Sequence, residues 1–168
     1  KKLYKPRIIQ SLYFDNNSFE MHQHSEEGIV PRKKIRIRSY PNYDNKYFLE
    51  VKISSVEGRF KKSNEVSNGQ FLKFFKNGIF DKLYGHCKPI IYVKYLREYF
   101  LIKGTRITYD KNIEYLNLKK RLIGKENSSV LELKPNYGKS LDELYLDFPF
   151  NRIRYSKYSF GINKFNNL

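Results

Sequence analysis

The sequence predicts an α+β domain: an antiparallel sheet with a few short flanking helices. Three observations lead there. Segments of strict apolar/polar alternation recur along the chain, the period of a half-buried strand. Aromatic residues make up 17% of the 168 positions, all Tyr and Phe because Trp is absent, and such rings pack well on a pleated surface. Three short segments carry a recognisable helix start or stop.

Residues 8–15 read as the first strand, ending Ser-Leu-Tyr-Phe-Asp. Residues 16–28 are polar and predict a short helix capped by Asn16 or Asn17. Residues 33–40 alternate Lys/Ile/Arg/Ile/Arg, a turn is expected over 41–46, and residues 47–54 return as the hairpin partner. Glu57-Gly58 leads into a third strand over 59–66. Phe71, Leu72, Phe74 and Phe75 form a helical stripe within 68–77, ended by Gly78. Residues 89–102 are the longest strand, Gly104 punctuates it, and 105–110 follow as its partner. A further short strand is expected over 113–118 and another over 129–134, stopped by Pro135. Ser140 as N-cap with Glu143 three residues on is a capping box for a helix over 140–146. Residues 152–158 are expected to be the last strand. No internal repeat or linker divides the chain, so residues 1–168 are read as one domain.

Composition narrows the partners. Lys and Arg number 33 against 17 Asp and Glu, a net charge of +16. A compact body so charged attracts polyanions: nucleic acid, anionic membrane or phosphate-rich small molecules. A lysine-rich solubilising surface would give the same total. Cys87 stands alone, which excludes a disulfide framework and a cysteine zinc site and suits a reducing, cytoplasmic setting. No signal peptide or membrane-spanning run is evident. The chain begins Lys1-Lys2-Leu3 without an initiator Met, so a fragment with missing upstream sequence is expected.

The charges keep to one strand face. Lys34, Arg36 and Arg38 alternate with Ile35 and Ile37; Glu50 and Lys52 oppose Leu49, Val51 and Ile53; Glu132 and Lys134 oppose Leu131 and Leu133. Arg106 and Asp110 share a face, as do Tyr95 and Arg97, and Arg152 and Arg154. An ordinary half-solvated sheet explains the alternation. The alternative is a closed barrel with its apolar faces outward under helices and its charged faces lining a tunnel. Recurring Arg, whose planar fork suits phosphate, and repeated Glu-x-Lys pairs favour the tunnel. Cations there would repel one another when empty and grip an extended polyanion. The interspersed carboxylates could hold Mg²⁺ or Mn²⁺, which prefer oxygen ligands.

In this order, Ser11-Leu12-Tyr13-Phe14-Asp15, Lys34-Ile35-Arg36-Ile37-Arg38, Phe48-Leu49-Glu50-Val51-Lys52, Tyr95-Leu96-Arg97, Thr105-Arg106-Ile107-Thr108-Tyr109-Asp110, Val130-Leu131-Glu132-Leu133-Lys134 and Ser156-Lys157-Tyr158 make the chain resemble the VTC domains. That family belongs to the triphosphate tunnel metalloenzymes, with the CYTH phosphatases and fungal RNA triphosphatases. Each motif alone is weak; seven in order, from about residue 11 to 158, are specific.

The resemblance implies an antiparallel eight-stranded tunnel. It also implies transfer of the ATP γ-phosphate onto a growing polyphosphate chain with a divalent metal, Mg²⁺ or Mn²⁺. By position, Arg36, Arg38, Lys52, Arg97, Arg106, Lys134 and Lys157 would bind phosphates, joined by one of Lys61 and Lys62. Glu132 would be the main metal ligand, with Glu50 a second. Tyr95 and Ser156 would add hydrogen bonds. Family members open with a strand bearing a Glu-x-Lys type motif and a helix ahead of the equivalent of Ser11, whereas this chain has only residues 1–10 there. The resemblance therefore implies an N-terminally truncated tunnel domain.

The expected partners are ATP and polyphosphate or other oligophosphates. A non-catalytic polyphosphate- or inositol-polyphosphate-binding module and a tunnel triphosphatase are the alternative functions. Nucleic acid is disfavoured, because the Arg set keeps to alternate strand positions and no RNA-binding module is recognisable. His22, His24 and His86 fall outside the strand motifs and read as solvated or incidental. The Phe71–Phe75 stripe reads as core covering the barrel, with a partner-protein surface as the second reading.

Overall fold

The structure, a computed structural model, describes residues 1–42, 44–136, 138 and 140–166. Its elements in chain order are β1 (Lys2–Asp15), α1 (Glu20–Glu27), β2 (Arg32–Tyr40), β3 (Asp44–Ser55), β4 (Gly58–Val66) and α2 (Asn68–Asn77). Then come β5 (Ile79–Asp81), β6 (Gly85–Ile102), β7 (Thr105–Leu116), β8 (Leu122–Lys125), β9 (Val130–Lys134), α3 (Leu141–Asp147) and α4 (Lys157–Asn166). Residue 43, within the turn expected over 41–46, lies outside the described residues.

The strands form one antiparallel sheet in the order β4-β3-β2-β1-β6-β7-β8, with β5 added to β6 and β9 to β7. Among the described residues the sheet is not closed: β4 forms one edge, and β8 and β9 share β7 at the other. It is curved into a trough. Glu132 of β9 is close enough to Lys52 of β3 to act on its charge, although four strands lie between theirs in the sheet.

Both faces carry a core. On the convex face Leu12, Phe14, Ile35, Ile37, Tyr92 and Leu116 pack beneath Phe71, Phe74 and Phe75 of α2. The α2 stripe thus covers the barrel wall, and Ser67 and Gln70 complete a capping box at its start. On the concave face Ile9, Tyr13, Ile91, Val93, Tyr95, Ile113 and Tyr115 pack against Tyr158 and Ile162 of α4. A smaller cluster of Ile107, Leu144 and Phe148 fixes α3, whose Ser140–Glu143 capping box forms as expected.

Three elements differ from the sequence expectation. Residues 152–158 are not a strand: 151–156 are irregular, Ile153 is 78% exposed, and α4 starts at Lys157. The alternation there is real, but Tyr158 and Ile162 also stand four residues apart on one helical face, and burying that face outweighs it. The Ser156 hydroxyl accepts from Ser159 N at 3.3 Å. Gly161 lets α4 lie close, because a Cβ there would sit 2.9 Å from Tyr115 and 3.1 Å from Ile91. Residues 105–110 and 113–118 join as the single strand β7, with Asn112 at φ 54° absorbing a register shift against β6. β5 and β8 were not anticipated, being too short for periodicity, and β8 contains Gly124.

Asp15 ties the helices to the sheet. Its fully buried carboxylate accepts from Met21 N and His22 N, capping α1, and from the Tyr158 hydroxyl at 2.7 Å. No helix among the described residues is long and apolar enough to cross a membrane.

Candidate functional site: a cation-lined trough

Strand register decides which charges meet. Tyr13 on β1 pairs with Arg36 on β2, and Arg36 with Glu50 on β3. Paired residues project to the same face, so these three side chains share the concave side. Arg36 Nε and Nη2 reach Glu50 Oε2 at 2.7 and 2.6 Å, and Arg36 Nη1 donates to the Tyr13 hydroxyl at 2.9 Å. Arg38 lies 3.6 Å from the other Glu50 oxygen, and Lys61 Nζ bonds that oxygen at 2.6 Å. Lys61 faces Lys52 across β3 and β4, whereas Lys62 faces Val51 and lies on the convex side. Of the two lysines, Lys61 is the one in the trough.

Glu50 is 3% exposed. Burial would raise its carboxyl, but Arg36 and Arg38 outweigh it and hold it down at about 2. Tyr13 behaves alike: burial raises the phenol, and Arg36 with Arg38 brings it down to about 8.

Tyr95 joins the two halves of the trough. Arg38 Nη2 donates to its hydroxyl at 3.4 Å, while Arg97 and Lys157 sit 5.3 and 4.9 Å from its ring centre. Arg97 Nε and Nη2 grip both oxygens of Asp110, the second at 2.6 Å. Lys157, at the start of α4, reaches Asp110 Oδ2 at 2.7 Å. Burial would raise Asp110, and the Arg97 hydrogen bonds and the Lys157 charge hold it below the usual range. Ser156 accepts from Lys34 Nζ at 2.7 Å.

The third group lies on β7 and β9. Arg106 pairs with Lys134 and Thr108 with Glu132. Glu132 has Lys134 Nζ at 3.3 Å, Arg97 Nη2 at 3.8 Å and the Thr108 hydroxyl at 3.4 Å. Burial opposes its ionisation, yet Lys134, Arg97 and Lys52 lower it.

All the sequence-selected residues except Lys62 thus fall on one curved surface, although Arg106 and Lys52 keep solvent contact. Sequence reasoning left out four neighbours. Lys34 stands in register with Lys52, Tyr13 and Asp110 sit within the contact network, and Arg7 pairs in register with Arg97. Lys34 and Asp110 were legible from strand phase, because each shares the parity of a chosen residue on its own strand, whereas Tyr13 stands on β1, where no residue had been chosen.

The cations outnumber Glu50, Asp110 and Glu132, and the imbalance shows in their chemistry. Lys52 as a residue is exposed. The trough walls nevertheless strip part of its hydration, and this together with Arg36 pushes the ammonium down to about 8. Lys34 and Lys134 are lowered too, chiefly by burial. Arg38 Nε is buried without a hydrogen-bond partner. Several phosphate oxygens arranged along the trough would supply what these groups lack.

A divalent metal has a narrower fit. No group of three or more His, Cys, Asp or Glu converges among the described residues. Glu50 is occupied by Arg36, Arg38 and Lys61. Glu132 has longer contacts and a side chain 45% exposed. One such carboxylate suits an ion that keeps several waters and takes the rest of its ligands from substrate phosphates, the usual habit of Mg²⁺.

The histidines lie elsewhere: His24 contacts the Tyr84 hydroxyl and His86 the Asn77 carbonyl.

Comparison with known proteins agrees with this geometry. No curated protein sequence matches the chain. Among solved structures it is similar to a candidate adenylate cyclase from Bacillus halodurans, with TM-score 0.64 and 12% identity over 90% of this chain and 79% of that one. It is also similar to a candidate adenylyl cyclase from Hippeastrum with a dominant triphosphatase activity, with TM-score 0.61 and 15% identity over 95% and 83%. At such identities the likeness shows the shared fold. The family model described as the VTC domain matches residues 2–86 and 80–166. With nearly the whole chain matched, this protein belongs to the VTC domain family.

Proposed function

We propose that this domain is a phosphotransferase that moves the γ-phosphate of ATP onto a growing polyphosphate chain inside the trough. The observation that supports it most is the row of Lys34, Arg36 and Arg38 on one strand, continued by Arg97 and then by Arg106 with Lys134. The β2 portion alone runs four residue steps from Lys34 to Arg38, about 13 Å of strand. The full row is longer than one triphosphate requires, as a site for nucleotide and chain together should be.

The roles follow from position. Arg38, loosely held by Tyr95 and Glu50, would turn its fork to phosphate oxygens, and Arg36, fixed by Glu50 and Tyr13, would add its charge beside it. Arg97, oriented by Asp110, and Lys157 would face the transferring group from the opposite wall. Lys134 and Arg106 would hold the incoming nucleotide. Lys52, Lys61 and Lys34 would carry the chain. Phosphoryl transfer needs little more from a protein than alignment and charge neutralisation. A Mg²⁺ or Mn²⁺ ion bound by Glu132 would neutralise charge on the phosphates when present. The solvent-open trough, together with the triphosphatase named for the Hippeastrum neighbour, supports hydrolysis as a second reading. A cytoplasmic location, where ATP is abundant, belongs to the same proposal.

The test is direct. Purified protein is incubated with ATP and Mn²⁺ and the products are resolved on a polyacrylamide gel. A ladder of polyphosphate supports synthesis. Orthophosphate without a ladder selects the hydrolase. Tight polyphosphate binding with no turnover selects a binding module.

A further inference from the structure

The two ends of the trough differ in chemistry. At one, Lys34, Lys52 and Lys61 stand in register across β2, β3 and β4, three flexible ammonium groups side by side. The other is aromatic. Tyr4 on β1 pairs with Tyr99 on β6, and Arg7 pairs with Arg97. The Tyr4 and Tyr99 rings meet edge to face at 5.5 Å and 88°. The Arg7 guanidinium lies 5.6 Å from the Tyr4 centroid and 6.0 Å from that of Tyr99. Tyr4 is 54% exposed, a large ring left open to water beyond Arg97 in the strand register. Register shifts between Lys2 and Tyr4 and between Tyr4 and Arg7 distort β1 here.

An exposed ring with a guanidinium beside it is a poor phosphate site by itself and a good stacking platform. Every nucleobase has a π-face, and stacking on an aromatic or Arg plane is tolerant of base identity. The register puts this platform one step outward from Arg97, and Arg97 touches Asp110 and Glu132. A nucleoside triphosphate laid here would put its base on Tyr4, its proximal phosphates by Arg7, and its terminal phosphate by Arg97, deeper in the trough.

We infer that Tyr4, Tyr99 and Arg7 form a nucleoside subsite that fixes the direction of the nucleotide, base at this mouth and growing chain toward the lysine end. The inference rests on the phosphate-binding reading of the trough.

The experiment compares two ligands that differ by the nucleoside alone. Binding of ATP and of inorganic tripolyphosphate, each with Mn²⁺, is measured by calorimetry on wild-type protein, Tyr4→Ala and Tyr4→Phe. Tyr4→Ala is expected to weaken ATP at least about fivefold, the low end for loss of one stacked base. Tripolyphosphate affinity should stay within about twofold, which also shows that the variant is folded. Tyr4→Phe keeps the ring and should restore ATP binding. Unchanged ATP affinity in Tyr4→Ala, or equal loss for both ligands, overturns the subsite and leaves the phosphate trough standing. Failure of wild-type protein to bind tripolyphosphate overturns the trough reading and the subsite with it.

Discussion

Arg36 and Glu50 stand directly opposite one another on β2 and β3, joined by contacts of 2.6 and 2.7 Å in a place almost closed to water. Glu50 also receives Lys61 and lies near Arg38, so one carboxylate organises three cations. In the folded protein its carboxyl sits at about 2, below its ordinary value of 4.5. A depressed carboxyl stabilises the fold fully above its unfolded pKa and loses that contribution as pH falls through the folded one. The shift corresponds to about 3 kcal/mol. Glu50→Gln should cost about 3–5 kcal/mol at neutral pH, because it leaves buried cations uncompensated. Urea unfolding from pH 7 to pH 2 should show the gap between wild type and variant closing between about pH 4.5 and 2. Parallel curves would assign the pairing no role in stability.

Arg36 and Arg38 look equivalent in sequence and differ in the structure. Arg36 is committed to Glu50 and Tyr13 by three short contacts. Arg38 makes longer contacts, 3.4 Å to Tyr95 and 3.6 Å to Glu50, and keeps Nε without a partner. Arg38→Ala should therefore weaken tripolyphosphate binding by about 1.5–3 kcal/mol while changing stability by less than about 1 kcal/mol. Arg36→Ala should lose stability as well, by about 3 kcal/mol or more. Calorimetric titration and chemical unfolding of both variants give the comparison. Equal stability losses would refute the distinction.

How far the sequence carried depended on the reach of each signal. Strand phase is local, and it correctly put Arg36, Arg38, Glu50, Lys52, Arg97, Arg106, Glu132 and Lys134 on one face. What parity cannot give is which side of the sheet is concave, since both faces are buried here. The family resemblance supplied that. Lys61 and Lys62 could not be separated without the β3–β4 register, which depends on the turn before Gly58. The last predicted strand failed because residues 152–158 alternate locally while Tyr158 and Ile162 answer to a distant apolar surface on β6 and β7. Asp15 was read only as the end of a strand; its role as joint cap for α1 and anchor for Tyr158 is tertiary.

Lys52 gives the trough a pH response in the alkaline range. Its ammonium is pushed down to about 8 from an ordinary 10.5. Below that value the strained charge is present in the unliganded protein; above it the amine is neutral in the folded state while still protonated in the unfolded chain. Stability should therefore rise slightly from about pH 8 toward 10.5. Bound phosphate favours the charged form, so tripolyphosphate affinity should fall as pH rises through 8, with proton uptake on binding in that range. Titrations in buffers of different ionisation enthalpy measure the uptake. Lys52→Arg keeps its charge and should flatten both effects; a Lys52→Arg profile identical to wild type would move the titrating group elsewhere.

Glu132 separates charge balance from metal binding. Its carboxylate lies between Lys134 and Arg97 at 3.3 and 3.8 Å, with the Thr108 hydroxyl at 3.4 Å. None of these contacts is short, whereas Glu50 holds Lys61 at 2.6 Å. A purely balancing carboxylate restrains its cations, so its removal should leave the trough more positive and bind oligophosphate equally well or better. A carboxylate that also takes Mn²⁺ should behave differently only when the ion is present. Glu132→Gln keeps the shape and removes the negative charge. With chelator present, the variant is expected to bind tripolyphosphate as tightly as wild type or more so. With Mn²⁺, wild-type affinity should rise and that of the variant should not. Electron paramagnetic resonance of Mn²⁺ titrated into protein and tripolyphosphate reads the bound ion without reference to turnover. Loss of the bound signal in the variant, with retained binding in chelator, assigns the ion to Glu132. An undiminished Mn²⁺ signal in Glu132→Gln would remove the residue from the metal site.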